Sequence, residues 1–330
     1  LFIPVRAQEL GSSQDCAACH SSIVQEWETS RHANSTAATN PFYAAMLKWA
    51  NEAGNGAAQD KCEKCHAPVK FLGATDETVA RLVHEGVSCD VCHATQKDGA
   101  WLKIGAENTK YGPYEDALSV THESEFSPFL ISSNQCLTCH ANLENAHGFS
   151  FCSTEEEYKK SSFYKNGVTC QDCHMPSVKS KATELGKIRN IRSHRFYGGY
   201  NSELLHNCAK VSLAAEGDST FLAIRVDVEN KTVGHSLPTG SPMRSVYLKL
   251  TALDAEGVVV WKNFLDNPLK DDPKAVFMRL LQNDQGKAPV PPWEASSIKF
   301  DQRLQPDEKR TFEYMISDTA AKQIVAELYL

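Results

Sequence analysis

Ten of the twelve cysteines fall into five copies of one pattern, Cys-x-x-Cys-His. The copies are Cys16-Ala-Ala-Cys19-His20, Cys62-Glu-Lys-Cys65-His66, Cys89-Asp-Val-Cys92-His93, Cys136-Leu-Thr-Cys139-His140 and Cys170-Gln-Asp-Cys173-His174. A histidine behind every second cysteine sets aside scattered zinc or redox pairs and points to covalent attachment of c-type haem. Two thiols three positions apart on a helical turn reach the two vinyl groups of one porphyrin, and the next residue supplies the proximal imidazole. Five c-type haems are therefore the expected cofactors, with His20, His66, His93, His140 and His174 as proximal ligands.

This density of attachment sites constrains the fold. All five motifs lie before residue 209 of a 330-residue chain, so residues 1–208 cannot build an ordinary hydrophobic core. Porphyrins are expected to take its place, with short helices and loops wrapped round a haem stack. Pro41–Ala53 is expected to be a helix with Phe42, Ala45, Met46 and Trp49 on one face and Gly54 as its stop. Asp76–Glu85, stopped by Gly86, is a second helix. A third opens on the capping-box pattern Thr154-Glu-Glu-Glu157 and ends before Gly167. The first two motifs are separated from the third and fourth by nearly equal intervals, which suggests a duplicated two-haem unit.

From residue 209 the texture changes. Leu222, Ile224, Val226 and Val228 alternate, as do Val246, Leu248, Leu250 and Ala252. Further strands are expected near Val258–Trp261, Ala275–Leu281, Ser297–Phe300, Arg310–Ile316 and Ile324–Leu330. Such short strands with turns between them predict an antiparallel β-sandwich over 209–330. The fold class is thus α+β, a pentahaem domain at 1–208 followed by a β domain at 209–330.

Haem iron needs a second axial ligand. Seven further histidines, at 32, 84, 122, 147, 194, 206 and 235, exceed the five required. His32, His84, His122, His194 and His235 are the expected distal set. His147 and His206 are the alternatives to His84. His235 lies in Gly234-His-Ser-Leu-Pro-Thr-Gly240, a turn-rich loop that would hold its ring rigidly, and a ligand role would couple the β domain to the haems. Cys152 and Cys208 lie outside every motif. Because c-type haem is attached outside the cytoplasm, the protein is expected to be periplasmic or extracellular, and these two cysteines are expected to form a disulfide.

Cys16-x-x-Cys19-His20 followed by Trp27-x-x-x-Arg31-His32-Ala33 resembles the opening of the cytochrome c554-like multihaem cytochromes. Gly167-Val-Thr-Cys-Gln-Asp-Cys-His-Met-Pro176 and His194-Arg-Phe-Tyr-Gly-Gly199 are similar to the same group. The Gly234–Gly240 loop, with Pro242-Met-Arg244 and strands after it, resembles a β domain appended to many of its members. The resemblance implies closely packed bis-histidine haems with His32, His122 and His194 as distal ligands. Five haems and an added domain depart from the four-haem pattern.

The function expected is extracytoplasmic electron transfer, with redox proteins or extracellular acceptors as partners. Two alternatives are a subunit of an extracellular conducting filament, through self-association, and an oxidoreductase with one open haem. Spare histidines argue against the open haem, and no catalytic residue is assigned. The net charge of −7 argues against nucleic acid as a partner. No apolar run reaches the roughly 18 residues of a membrane span. Residues 1–7 read equally as a signal remnant or as an N-terminal arm.

Overall fold

The structure, a computed structural model, describes residues 9–54, 56, 58–218, 220–317 and 320–330. The two readings of residues 1–7 lie outside them. The chain is α+β, with helices concentrated towards the N-terminus and antiparallel sheets towards the C-terminus. It divides into two compact units, residues 1–139 with 169–198, and residues 140–168 with 199–330.

This division differs from the boundary expected at 208/209. The reason lies in the packing of 140–168. Phe149 and Phe151 lie against the buried cluster Leu281, Val290 and Ala295. The Asn145 amide donates to the carbonyls of Pro292 and Ala295 at 2.9 and 2.7 Å. Residues between the fourth and fifth motifs thus pack with the β strands.

In the first unit the motifs open on helical turns. Ser13–Glu28 carries the first motif, is capped by a reciprocal Ser12–Asp15 box, and kinks at His20 (φ −116°, ψ 38°). Ala58–His66, Cys89–His93 and Cys170–His174 carry the second, third and fifth, and Ser133–Leu137 begins the fourth. Pro41–Ala53 forms as expected, with Asn40 as its cap. Its buried residues, however, are Leu47 and Ala50, while Phe42 and Trp49 stay exposed, so this helix carries apolar side chains on both sides. The second expected helix ends at Leu82 and tightens into a 3₁₀ turn, Val83–Glu85. Two-stranded hairpins follow the third and fifth motifs, Thr95–Asp98 with Trp101–Ile104 and Ser177–Lys181 with Ile188–Arg192.

The second unit holds a β-sandwich. One sheet has the order Lys309–Ile316, Leu222–Glu229, Lys210–Gly217. In the other, Ser245–Leu253 pairs with Val259–Lys262, Val276–Gln282 and Gln323–Tyr329, and Ser297–Asp301 pairs with Val276–Gln282. The two expected alternating faces meet: Ile224, Val226, Val228, Leu248, Leu250 and Ala252 share one core with Phe277, Phe312 and Ile316. Lys210–Gly217 was not expected as a strand. Every residue in it is exposed, so no buried face imposes a period.

Two further expectations need correction. The helix from Thr154 is broken at Ser161 into Thr154–Lys160 and Ser162–Lys165, and no capping box forms. Glu157 is buried and pairs with Arg303 instead. Nor is there a Cys152–Cys208 disulfide, since both are free thiols. The Cys152 sulfur lies 3.5 Å from Thr154 Oγ1 in its hairpin, whereas Cys208 packs against the sandwich core.

Candidate haem-ligand histidines

The five motifs form one contiguous set rather than following chain order. The thiols of Cys16 and Cys89 meet, as do those of Cys136 and Cys170, and of Cys65 and Cys139. Gln135, just ahead of the fourth motif, donates to the Cys92 carbonyl at 3.2 Å. The third, fourth and fifth motifs are therefore linked in space, with the first beside the third and the second beside the fourth.

Four of the histidines expected as proximal ligands share one arrangement. His20 Nδ1 lies 2.6 Å from the Ala182 carbonyl, His66 Nδ1 2.9 Å from that of Ser35, His93 Nδ1 2.8 Å from that of Tyr111, and His174 Nδ1 2.5 Å from that of Tyr197. A carbonyl on Nδ1 fixes the proton there, orients the ring, and assigns Nε2 to the metal. The Ser35 hydroxyl also donates to the His66 carbonyl at 2.8 Å, so that pair is locked from both sides. Tyr43 stacks on His66, with ring centres 4.0 Å apart.

His194 is built into the same unit. The Glu26 carboxylate accepts from the His194 backbone N–H at 2.7 Å and from the Ser193 hydroxyl at 3.0 Å, which docks this loop on the Ser13–Glu28 helix. His194 Nδ1 lies 2.9 Å from the Arg192 carbonyl. Its ring centre is 6.2 Å from that of proximal His93, with the planes 27° apart. Two metal–nitrogen bonds of about 2 Å, with about 1 Å from each nitrogen to its ring centre, span about the same distance. The donor chemistry agrees as well. Burial, reinforced by neighbouring His93, pushes His194 down to about 4, and burial likewise lowers His93 and His66. These rings are held neutral, as a metal ligand must be. Among the described residues no group of three or more His, Cys, Asp or Glu side chains forms a metal cage. The paired rings of His93 and His194 fit an iron held between two imidazoles.

The other expected distal residues divide. His32 is half-buried, edge-on to Phe196 with ring centres 4.3 Å apart, and Phe196 also meets His194. Gly86 (φ 67°) closes this corner. A Cβ there would come within 2.3 Å of the His32 carbonyl, so only glycine permits the approach. His122 is half-buried, with Nδ1 2.9 Å from the Glu123 carbonyl. His84 is exposed on its 3₁₀ turn.

His235 stands in the second unit, on a loop fixed at several points. Asn230 donates to its carbonyl at 2.8 Å, and its Nδ1 lies 2.9 Å from the Ser236 carbonyl. Glu157 accepts from the Ser236 N–H at 3.2 Å and from the Thr239 hydroxyl at 2.6 Å. The same carboxylate accepts from Arg303, which Asp301 also binds. Sequence reasoning gave the loop's turn residues but missed its anchor. Glu157 lies far away in the chain, and its helical spacing gave no sign that it is buried.

A family model described as cytochrome c554 and c-prime matches residues 15–94, the span of the first three motifs. The chain is similar to the penta-haem cytochrome c552 from Thermochromatium tepidum, with a TM-score of 0.77 and 28% identity over 97% of this chain and 90% of that one. A DUF1425 family member from Shewanella sp. pv-4 aligns over 37% of this chain and 77% of that one, at 12% identity and a TM-score of 0.20, too low to carry an argument. A search of curated proteins gives no match.

Proposed function

We propose that this multihaem c-type cytochrome is an exported electron carrier, holding five covalent haems closed on both faces by histidine. Each Cys-x-x-Cys pair supplies two thioether links, and His20, His66, His93, His140 and His174 supply the proximal imidazoles. His32, His122, His194 and His235 serve as distal ligands, with a fifth histidine completing the set. Haem bound in this way supplies one-electron transfer at iron, with a potential tuned by axial ligands, burial and hydrogen bonding. The observation that carries the reading is the His93–His194 pair, with ring centres 6.2 Å apart and each Nδ1 on a backbone carbonyl. Similarity to a penta-haem cytochrome over nearly the whole chain supports the count.

The residues' task is positional. Carbonyls on Nδ1 hold the imidazoles in one tautomer and one orientation, so little rearrangement accompanies a change of charge. Contiguous motifs keep successive centres close. The negative net charge suits basic docking faces on redox partners. Among the described residues no helix is long and apolar enough to cross a membrane.

Intact mass spectrometry of the matured protein tests the proposal. Five haem additions are expected, and acid-acetone should extract none. Four or fewer additions would overturn it. Negative-stain microscopy separates a discrete carrier from a filament subunit, since a filament would show ordered polymers of the purified chain.

A further inference from the structure

The folded chain carries an internal repeat, but not the one suggested by the spacing of the motifs. Leu10-Gly-Ser-Ser-Gln-Asp-Cys16 matches Leu130-Ile-Ser-Ser-Asn-Gln-Cys136, and Gly86-Val-Ser-Cys89 matches Gly167-Val-Thr-Cys170. The contacts repeat with the letters. Ser13 Oγ accepts from the Cys89 N–H at 3.2 Å, and Ser133 Oγ accepts from the Cys170 N–H at 3.1 Å. The next residue reaches back in both copies. Asp90 accepts from the Gly11 N–H at 2.7 Å, and Gln171 donates to the carbonyls of Leu130 and Ser132 at 3.1 and 2.8 Å. Gly86 and Gly167 both hold positive φ, at 67° and 74°. A β-hairpin follows each later motif, and then a tyrosine, Tyr111 or Tyr197, whose carbonyl faces Nδ1 of the proximal histidine.

Each of these tyrosines opens the same short signature, Tyr111-Gly-Pro-Tyr114 and Tyr197-Gly-Gly-Tyr200, and a histidine follows shortly after, His122 in one copy and His206 in the other. We infer that the chain is a duplicated two-haem unit, motifs one and three answering to motifs four and five with the second motif inserted, and that His206, the counterpart of His122, is the fifth distal ligand. This rests on the multihaem electron-carrier reading above.

Ring geometry supports the assignment independently of the repeat. His206 Nδ1 lies 2.6 Å from the Ser202 carbonyl. His122, His194 and His235 likewise place Nδ1 on a carbonyl, at 2.9 Å and one or two residues away, whereas the carbonyl on His206 lies four residues back in its own short helix. In all four, Nε2 is the ring nitrogen assigned to metal. His84 lacks this lock. His84, His147 and His206 are all exposed, so the ring lock rather than burial separates them, and the Glu85 carboxylate beside His84 is committed to Ser12 and Ser13. Among the described residues the hydrogen bond of His147 runs from its backbone N–H to Asn145, not from its ring.

The test uses the fully matured protein and its variants, reduced under carbon monoxide. His206→Ala should bind one carbon monoxide per chain and show one high-spin haem, and added imidazole should restore the low-spin spectrum. His84→Ala and His147→Ala should bind none. If His206→Ala matures poorly, His206→Met should keep every haem low-spin while raising the midpoint potential of one of them. An unchanged spectrum in His206→Ala, an unchanged set of potentials in His206→Met, or carbon monoxide binding by His84→Ala would overturn the assignment. Carbon monoxide binding by the unaltered protein would instead count against the closed-haem reading itself.

Discussion

His194 is the histidine whose surroundings speak most directly. Its backbone is clamped by Glu26, its ring by the Arg192 carbonyl, and its ring centre lies 6.2 Å from that of His93. His194→Ala should convert one haem to a high-spin, carbon-monoxide-binding form, and reduced-minus-oxidised spectra with and without the gas will show it. His235→Ala should do the same at another haem, because its loop is fixed by Asn230 and Glu157 rather than left to solvent. An unchanged spectrum would make His235 only a loop residue. Cys152 and Cys208, both free thiols, lead to a prediction opposite to the disulfide expected from the sequence. Two thiols should alkylate in denaturant without reductant, and none would mean that a bridge forms after all.

The Glu157–Arg303 pair shows what local sequence conceals. Thr154-Glu-Glu-Glu157 reads as a capping box, yet Glu157 turns inward and both it and Arg303 are only 5% exposed. Burial raises the Glu157 pKa, but the Arg303 charge and the hydroxyls of Thr239 and Ser153 outweigh it, so the net direction is down. A carboxyl lowered on folding stabilises the fold above its unfolded pKa, near ~4.3, and that contribution fades as pH falls through the folded value. Acid unfolding of the second unit should therefore steepen below about pH 4, and Glu157→Gln should flatten that dependence in pH-resolved thermal melts. Glu157→Ala leaves Arg303 partnered by Asp301 alone, so a loss of about 3 kcal/mol is expected. The alternating strands, by contrast, were legible because one face of each is buried in the sandwich. Lys210–Gly217 and the hairpin strand Ser177–Lys181 were not, because both are almost wholly exposed.

Across the molecule, the sequence was most informative where chemistry demands fixed spacing. The proposed attachment cysteines and proximal histidines are read from Cys-x-x-Cys-His alone. What it could not provide was the set of carbonyls that orient those histidines. Ala182 meets His20 from 162 residues away, and Ser35 meets His66 from 31. The repeat was hidden for a similar reason, since the second motif interrupts one copy and equal intervals pointed to the wrong pairing. In the proposed reading, these carbonyl locks on four motif histidines turn scattered motifs into a set of prepared iron ligands. The claim that every iron is closed by two histidines is tested most directly by the spin state of the unaltered, fully haem-loaded protein. Low-temperature electron paramagnetic resonance of the oxidised form, paired with carbon monoxide titration of the reduced form, should show low-spin haem alone and no carbon monoxide binding. A high-spin signal integrating to one haem per chain, with one carbon monoxide bound, would contradict the account.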